Sequence, residues 1–354
     1  MNICIVAGAR PNFVKVAPLI RAIQKSAVAT YQLVYAGRDD DPTLEPSLFD
    51  DLQMSRPDFY LGVDSTRLNE ITSRVMAEFD RFLDEHPADV VIVVDDLAST
   101  MAAAIVTKKR GTRLAHLVAG TRSFDITMPK EINRLVIDAL SDYLFTAGVK
   151  SNSVATREQA ESSQTYMVGN ILMDTLRFNH SRLRQPEVAG SDLRAPYLVL
   201  TLNRRALLGD DDFLSQVLDT IGQAGAEVIA PLRGEARKAV EVQLGEGAAR
   251  YIHLTDPLPY LEFGWLTAHA QGIITDSGNV AEEATFNGVP CITLNDYTEH
   301  QETVTVGSNM LVGGDVEKLR SALATLLKGE WKRCALPDRW DGRTAERIVQ
   351  ILIS

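Results

Sequence analysis

The stretch NICIVAGARPNFVKVAPLIRAIQKS, residues 2–26, joins two kinds of hydrophobic periodicity through one glycine. It begins with a short apolar run, which is typical of a strand that is buried on both faces, and Gly8 follows. After Pro11 the apolar side chains recur on one helical face, at Val14, Val16, Leu19, Ile20 and Ile23. The stretch therefore predicts a strand, a turn and a helix, which is the first half of a parallel βαβ unit.

The same alternation continues along the chain. Further strand candidates are YQLVYAG, DVVIVV, LAHLVAG, DYLFTA and TYMVG, and then YLVLTL, AEVIAPL, YIHLTD, GIITDS and PCITL. Residues 177–196 between the two sets are charged and aperiodic, which indicates a linker. The pattern predicts an α/β protein with two doubly wound, Rossmann-like domains that face an interdomain cleft. We expect domains at residues 1–178 and 179–340, and a C-terminal helix at 341–354 that packs back on the first domain.

Composition limits the class of protein. The chain has 354 residues, of which 45% are hydrophobic and 23% charged, so it is long enough for two globular cores. No apolar run approaches the roughly 20 residues that span a bilayer, and the first residues do not resemble a signal peptide. We therefore expect a cytoplasmic protein without a membrane partner.

Net charge and cysteine spacing limit the kinds of ligand and metal that the protein is expected to bind. The net charge of −11 disfavours nucleic acid, whose phosphates would be repelled, although local cations can still hold an anionic nucleotide. Cys4, Cys291 and Cys334 lie far apart, which argues against a zinc site or a disulfide framework. Cys4 and Cys291 lie in apolar runs and are predicted to be buried thiols. We expect no metal and no cofactor.

Two turns could hold an anion. GARPNFVK, residues 8–15, brings Arg10 and Lys15 to a glycine turn before a helix, although a simple βα turn with surface cations explains it equally well. In TDSGNVAEEA, residues 275–284, Ser277 and Gly278 precede a helix and could bind a phosphate, while Glu283 could accept hydrogen bonds from a ribose diol. The alternative is that Ser277 only caps the helix and that the glutamates are solvated.

Ordered motifs along nearly the whole chain resemble the non-hydrolysing UDP-N-acetylglucosamine 2-epimerase family. They are GARPNFVKVAPLI, DDLAST, HLVAGTRSFD, MPKEINR, VGNILMDTL, TDSGNVAEEA and YTEHQE. The resemblance implies a two-domain fold shared with glycosyltransferases of the B type. It also implies a homodimer and a small-molecule sugar nucleotide or sugar phosphate as ligand. By the resemblance, nucleotide binding falls to Arg10, Lys15, Asn203, Arg205, Ser277, Gly278, Asn279 and Glu283.

The chain departs from the family pattern where the family moves a proton at the sugar. Val118 and Lys130 stand in place of two glutamates, Asn203 replaces a histidine, and Asn295 replaces an arginine. Asp95 replaces a glycine. These changes are consistent either with relaxed drift or with a site rebuilt for another substrate. We favour the rebuilt site because the new residues include charged and polar groups.

The remaining acid/base candidates are Asp96, Lys130, Glu131 and His300. If Asp95 and Asp96 both point inward, repulsion raises the pKa of at least one of them. Strand alternation favours Asp96 as the one that faces the ligand. We expect His116 to serve core packing. Lys130 lies in a first helical turn, where a cation is unfavourable unless an anion offsets it, so Lys130→Glu is predicted to stabilise the free protein slightly.

Three functions are compatible with these motifs. The first is a sugar epimerase with an altered acid/base set. The second is a glycosyltransferase with a UDP-sugar donor, which would need an acceptor pocket in the first domain. The third is a nucleotide-binding protein without catalysis. Turnover, rather than affinity, separates the third from the others.

Overall fold

A computed structural model describes residues 1–188 and 193–354. Part of the predicted linker, residues 189–192, lies outside the described residues. The chain forms two compact units. The N-terminal unit comprises residues 1–179 and 338–354, and the C-terminal unit comprises residues 180–337. The sequence-based boundaries at 178/179 and 340/341 stay a prediction about independent folding.

The N-terminal unit contains a seven-stranded parallel sheet in the order β3-β2-β1-β4-β5-β6-β7. Its strands are β1 (Asn2–Ala7), β2 (Thr30–Tyr35), β3 (Phe59–Tyr60), β4 (Val90–Val94), β5 (Arg113–Ala119), β6 (Tyr143–Thr146) and β7 (Gln164–Met167). Its helices are α1 (Arg10–Ser26), α2 (Pro46–Leu52), α3 (Leu68–Glu85), α4 (Ala98–Lys109), α5 (Pro129–Leu140), α6 (Val149–Glu158) and α7 (Ile171–Asn179), together with the C-terminal helix.

The C-terminal unit contains a six-stranded parallel sheet in the order β10-β9-β8-β11-β12-β13. Its strands are β8 (Leu198–Thr201), β9 (Val228–Pro231), β10 (Ile252–Thr255), β11 (Gly272–Thr275), β12 (Cys291–Thr293) and β13 (Asn309–Leu311). Its helices are α8 (Arg205–Leu208), α9 (Asp211–Gln223), α10 (Gly234–Gln243), α11 (Tyr260–Ala268), α12 (Gly278–Asn287), α13 (Glu302–Thr305) and α14 (Val316–Leu327).

Both sheets are buried on both faces, which explains why their strands read as continuous apolar runs. In β8, Leu198 and Leu200 join one apolar cluster, while Val199 joins another on the opposite face. The predicted fold class of two doubly wound parallel sheets is confirmed. The strands β3 and β13 were not predicted, because so few residues give only a weak periodic signal, although β12, also three residues long, was predicted from the apolar run PCITL.

The C-terminal helix α15 (Thr344–Ile353) packs on α1 and α7. Asp174 in α7 holds its first turn by accepting hydrogen bonds from the backbone N–H groups of Thr344 at 3.0 Å and Ala345 at 2.8 Å. Burial raises the pKa of Asp174 to about 6. The last helix is therefore anchored by a buried carboxyl that is 170 residues away in sequence.

Cys4 and Cys291 are fully buried, as predicted, and burial raises the pKa of both thiols. Within the described residues, no helix combines the length and the hydrophobicity that crossing a bilayer requires.

Candidate active site

Each sheet reverses its strand order at one point, between β1 and β4 in the N-terminal unit and between β8 and β11 in the C-terminal unit. A crevice opens at such a point, outside the carboxyl ends of the strands. Gly8 follows β1, and Asp95 and Asp96 follow β4. Asn203 follows β8, and Ser277 follows β11. Several residues predicted from the sequence to bind a ligand therefore lie where the strand order of their own unit reverses, which we call the switch point.

In the C-terminal unit, the N-terminus of α12 is not closed by its own side chains. Ser277 is the N-cap residue, but its side chain makes no capping hydrogen bond. Among the described residues, its hydroxyl has no hydrogen-bond partner. Gly278 is half-buried and Asn279 is exposed in the first turn, where backbone N–H groups have no intrahelical acceptor. The interpretation of Ser277 as a side-chain cap is wrong, and the turn is suited to an anion.

Glu283 lies farther along α12, and 9% of its surface is exposed. Its carboxyl group has no hydrogen bond or salt bridge to any residue that the structure describes. Burial, and then the neighbouring Glu282, raise the pKa of Glu283 to about 8. The alternative in which both glutamates are solvated is therefore wrong. With a pKa raised in this way, Glu283 takes up a proton more readily than an ordinary glutamate, and in the protonated form it can both donate and accept a hydrogen bond.

His300 contacts the other glutamate of the pair. Its Nε2 lies 3.1 Å from Oε1 of Glu282, which is only 2% exposed. The imidazole is thus held against α12 by a buried carboxyl group. The catalytic role of His300 stays a prediction.

Asp276 connects three strand ends of the C-terminal unit. Its Oδ2 accepts hydrogen bonds from the backbone N–H groups of Asn203 and Arg204, both at 2.7 Å. Its carbonyl oxygen accepts one from Nδ2 of Asn295 at 3.0 Å. Two departures from the family pattern, Asn203 and Asn295, therefore share one buried partner. Sequence reasoning missed Asp276, although its place directly after β11 at the switch point was a usable signal.

Arg205 lies in the first turn of α8 with its side chain 89% exposed. Its Nε is 3.8 Å from Glu235, too far for a hydrogen bond. The predicted nucleotide contact of Arg205 stays a prediction.

In the N-terminal unit, the turn before α1 already has an internal acceptor. The backbone N–H groups of Gly8 and Ala9 both donate to Oδ1 of Asn12, at 2.8 and 3.1 Å. Arg10 pairs with Glu45 at 3.2 Å. Because Asn12 accepts from the N–H groups of Gly8 and Ala9, the structure favours the alternative of a simple βα turn, and anion binding at this turn stays a prediction.

Lys15 is engaged in the same way. It is buried, and its Nζ lies 2.6 Å from Oδ1 of Asp95. The second carboxylate oxygen of Asp95 accepts from Nδ2 of Asn12 at 2.7 Å. Asp95 has φ +60°, a left-handed conformation that aspartate tolerates and glycine adopts freely, which fits the glycine of the family pattern. The aspartate that replaces this glycine neutralises Lys15.

Strand alternation does not separate Asp95 from Asp96, because β4 ends at Val94 and both aspartates follow it. Asp96 pairs with Arg134 at 2.6 Å. The expected rise in pKa is wrong for Asp96. Burial alone would raise its pKa, but Lys130 and Arg134 outweigh burial and lower it.

Lys130 and Glu131 begin α5 after Pro129. Lys130 is 61% exposed, and its Nζ lies 3.4 Å from Oδ1 of Asp96. This aspartate supplies the anion that offsets a lysine in the first turn, so the expectation that Lys130→Glu stabilises the protein is withdrawn.

Glu131 is saturated with donors. Its carboxylate accepts from the N–H and hydroxyl of Ser123 at 2.8 and 2.9 Å, from the N–H of Phe124 at 3.1 Å, and from Arg134 at 3.1 Å. Burial raises the pKa of Glu131, but these hydrogen bonds lower it below its ordinary value. A carboxylate held in this way fixes the loop before α5 and is a poor base.

Asp138 organises the end of β5, and sequence reasoning missed it. Its carboxylate lies 2.5 Å from Nδ1 of His116 and forms a salt bridge with Nη1 of Arg122 at 2.7 Å. It also accepts a hydrogen bond from the N–H of Gly120 at 3.0 Å. The usable signal was a carboxylate within the apolar pattern of α5. His116 is buried, and its Nε2 lies 3.0 Å from the carbonyl oxygen of Asp95. His116 therefore acts in the core as a polar connector.

The fold and the open α12 terminus define a class: two parallel α/β units, one of which has a helix N-terminus without a side-chain cap and a buried carboxyl group on the same helix at its switch point. A family model of UDP-N-acetylglucosamine 2-epimerase matches residues 21–353. The chain therefore belongs to the UDP-N-acetylglucosamine 2-epimerase family, a family of isomerases.

Relatives match over the whole chain. The UDP-N-acetylglucosamine 2-epimerase of Methanocaldococcus jannaschii is 32% identical, with 99% of each chain covered. The UDP-2,3-diacetamido-2,3-dideoxy-D-glucuronate 2-epimerase of Pseudomonas aeruginosa is 30% identical, again with 99% of each chain covered. A crystal structure of the M. jannaschii enzyme in complex with UDP-GlcNAc and UDP matches with a TM-score of 0.86 at 31% identity, over 100% of this chain and 99% of that one.

Proposed function

We propose that the protein is an epimerase-like isomerase that acts on a nucleotide-activated or phosphorylated sugar, with UDP as the bound nucleotide. The state of Glu283 carries this proposal. A carboxyl group that is nine-tenths buried and has no partner among the described residues is costly unless a ligand supplies one. It lies on the helix whose N-terminus, at Ser277 and Gly278, is free to take a phosphate.

The relatives support the nucleotide. Both relatives are named as epimerases of UDP-sugars, and the M. jannaschii crystal structure contains UDP-GlcNAc and UDP. We extend this ligand class to the present chain, because its C-terminal unit retains Ser277, Gly278 and Glu283. The sugar, and the carbon at which it is changed, form the finer part of the proposal.

The proton chemistry is altered. Epimerisation next to an unactivated carbon requires a positioned base with a tuned pKa. Val118 cannot transfer a proton, and Glu131 is saturated by four donors. We propose that Glu131 positions the loop before α5. Asp96, with its exposed partner Lys130, is then the proton-transfer candidate of the N-terminal unit, and His300 is the candidate of the C-terminal unit.

Calorimetric titration with UDP tests the nucleotide site. We expect binding, and we expect Glu283→Ala to weaken it about tenfold or more, because a buried hydrogen-bonding partner of the ribose is lost. Glu317→Ala, which removes an exposed carboxylate of the same unit, is the matched control and should bind as the wild type does. Absence of heat with UDP and with UDP-sugars, or unchanged affinity in Glu283→Ala, contradicts the proposal.

We also propose the homodimer that the resemblance implies. Exposed apolar side chains support it: Phe124 and Ile126 precede α5, and Ile132 and Leu135 lie one turn apart on its outer face. Light scattering of Ile132→Glu should show monomers if α5 forms the contact, whereas Val149→Glu, another exposed apolar position, should stay dimeric. A wild-type monomer contradicts the proposal. The cytoplasmic location stays a prediction, which cell fractionation tests.

A further inference from the structure

The end of β5 has a backbone conformation that is unfavourable for the residue it carries. Val118 has φ +75°, in the left-handed region that β-branched residues rarely adopt. It is the bulged residue of its strand, because the pairing between β5 and β6 shifts register between Leu117 and Ala119. Glycine or asparagine would adopt this conformation at lower cost.

Buried polar groups on both sides impose the conformation. Asp138 binds His116 before the bulge, and Gly120 and Arg122 after it. All three side chains involved, those of Asp138, His116 and Arg122, are at least nine-tenths buried. The backbone at Val118 is therefore fixed from both sides, and the strain cannot relax by a local shift.

The bulge lies beside the aspartates of the switch point. The N–H of Asp95 donates to the carbonyl of Leu117 at 3.2 Å, which places residue 118 next to the end of β4. Val118 is half-buried, whereas its neighbours Leu117 and Ala119 are buried. Of these three side chains at the end of β5, only that of Val118 is accessible to solvent. Residues with a strained backbone beside a ligand site commonly serve function.

We propose that Val118 is a specificity-determining residue that contacts the sugar through its methyl groups. Valine at this position has a backbone cost that glycine or asparagine would avoid, which favours a role for its side chain over relaxed drift. The ligand class that fits is a nucleotide sugar with an apolar group at this position, namely a deoxy carbon or a methyl group in place of a hydroxyl-bearing carbon. This inference rests on the proposed function and adds the substrate class.

Val118→Thr isolates the contact, since threonine is β-branched, has nearly the same shape and differs in polarity. Binding is measured by calorimetry with UDP and with matched pairs of UDP-hexoses, such as UDP-N-acetylglucosamine and its 6-deoxy analogue. We expect one deoxy member to bind on the order of tenfold more tightly than its parent. Val118→Thr should reduce that ratio at least about threefold, with the affinity for UDP unchanged.

Two further variants separate the contact from the strain. Val118→Gly should raise the melting temperature by roughly 2 °C or more, because the strain is relieved, and should lose the preference. Val149→Thr, at an exposed position of the same unit, should change neither. Equal binding of every deoxy and parent pair, or an unchanged ratio in Val118→Thr, overturns the inference while UDP binding leaves the proposed function intact. Absence of UDP binding overturns both.

Discussion

The two units differ in whether the polar side chains that follow their strands have partners within the protein. In the C-terminal unit, the Ser277 hydroxyl and the Glu283 carboxyl have no side-chain partner within the described part of the chain. At the edge of the N-terminal unit, Lys15 pairs with Asp95, and Asp96 pairs with Arg134. One edge is therefore open to a ligand, whereas the other satisfies its own charges.

Two of the changes from the family pattern alter the charges of the N-terminal unit. Asp95 and Lys130 each add a charge to the edge, and each charge is met by a neighbour, Lys15 in one case and Asp96 in the other. For Asp96, the neighbouring cations Lys130 and Arg134 lower the pKa of the carboxyl group. At the N-terminal edge Asp96 and Lys130 are thus paired, whereas the C-terminal edge retains Glu283, a buried carboxyl group without a partner among the described residues.

The largest expected effect concerns proton exchange. We expect UDP-N-acetylglucosamine in deuterated water to exchange its C2 proton at least about 10² to 10⁴ times more slowly than an ordinary epimerase would, because Val118 and the saturated Glu131 offer no base. Proton NMR of the sugar measures the rate. Exchange at about 1 to 10³ per second would contradict this expectation and show that the protein retains an active base.

The second effect compares two cations that share Asp96. Arg134→Met should lower the free energy of unfolding by about 3–5 kcal/mol, because it removes a buried cation that pairs with both the buried Glu131 and the half-buried Asp96. Lys130→Met removes a cation that is 61% exposed and should cost less than about 1 kcal/mol. Urea denaturation measures both. Similar costs would contradict a self-satisfied buried network.

The third effect is the pH dependence of stability from Glu283. Its pKa of about 8 in the folded protein lies above its ordinary value of 4.5. The stability that it contributes is therefore fully present below pH 4.5 and is lost as the pH rises towards 8. Glu283→Gln should remove this part of the decline between pH 5 and 8. Parallel stability curves for the two proteins would show that Glu283 is not held protonated.

The smallest effect concerns the first turn of α5. Lys130→Glu places a second carboxylate beside Asp96, so we expect it to lower the free energy of unfolding by a few tenths of a kcal/mol. It should also abolish activity if Lys130 contacts the substrate. Thermal melts and turnover with the true substrate measure both. Unchanged turnover would make Lys130 a bystander.

Most of the fold could be read from local patterns. Every strand of four residues or more corresponds to a predicted apolar run, since strands buried on both faces are locally distinct in sequence. Of the three shorter strands, Phe59–Tyr60 and Asn309–Leu311 were missed because so few residues give only a weak periodic signal, whereas Cys291–Thr293 was predicted from the apolar run PCITL.

The candidate site was read less completely. Placing Ser277 and Gly278 at a helix start was correct, because a strand followed by a glycine turn is a local signal. The hydrogen-bond partners of the carboxyl groups could not be predicted from the sequence. Glu131 and Glu283 each follow another charged residue in a helix, yet one has four donors and the other none.

The sequence by itself determined the order of strands and helices and the position of each motif at a strand end, because hydrophobic periodicity and turn residues act over a few neighbours. Only the tertiary structure decided which charged side chains form ion pairs within the protein. Lys15 meets Asp95 across 80 residues of sequence, and Arg134 meets Asp96 across 38. The pKa and the availability of a side chain depend on burial and on such distant partners, and these are set when the strand ends come together in the folded sheet.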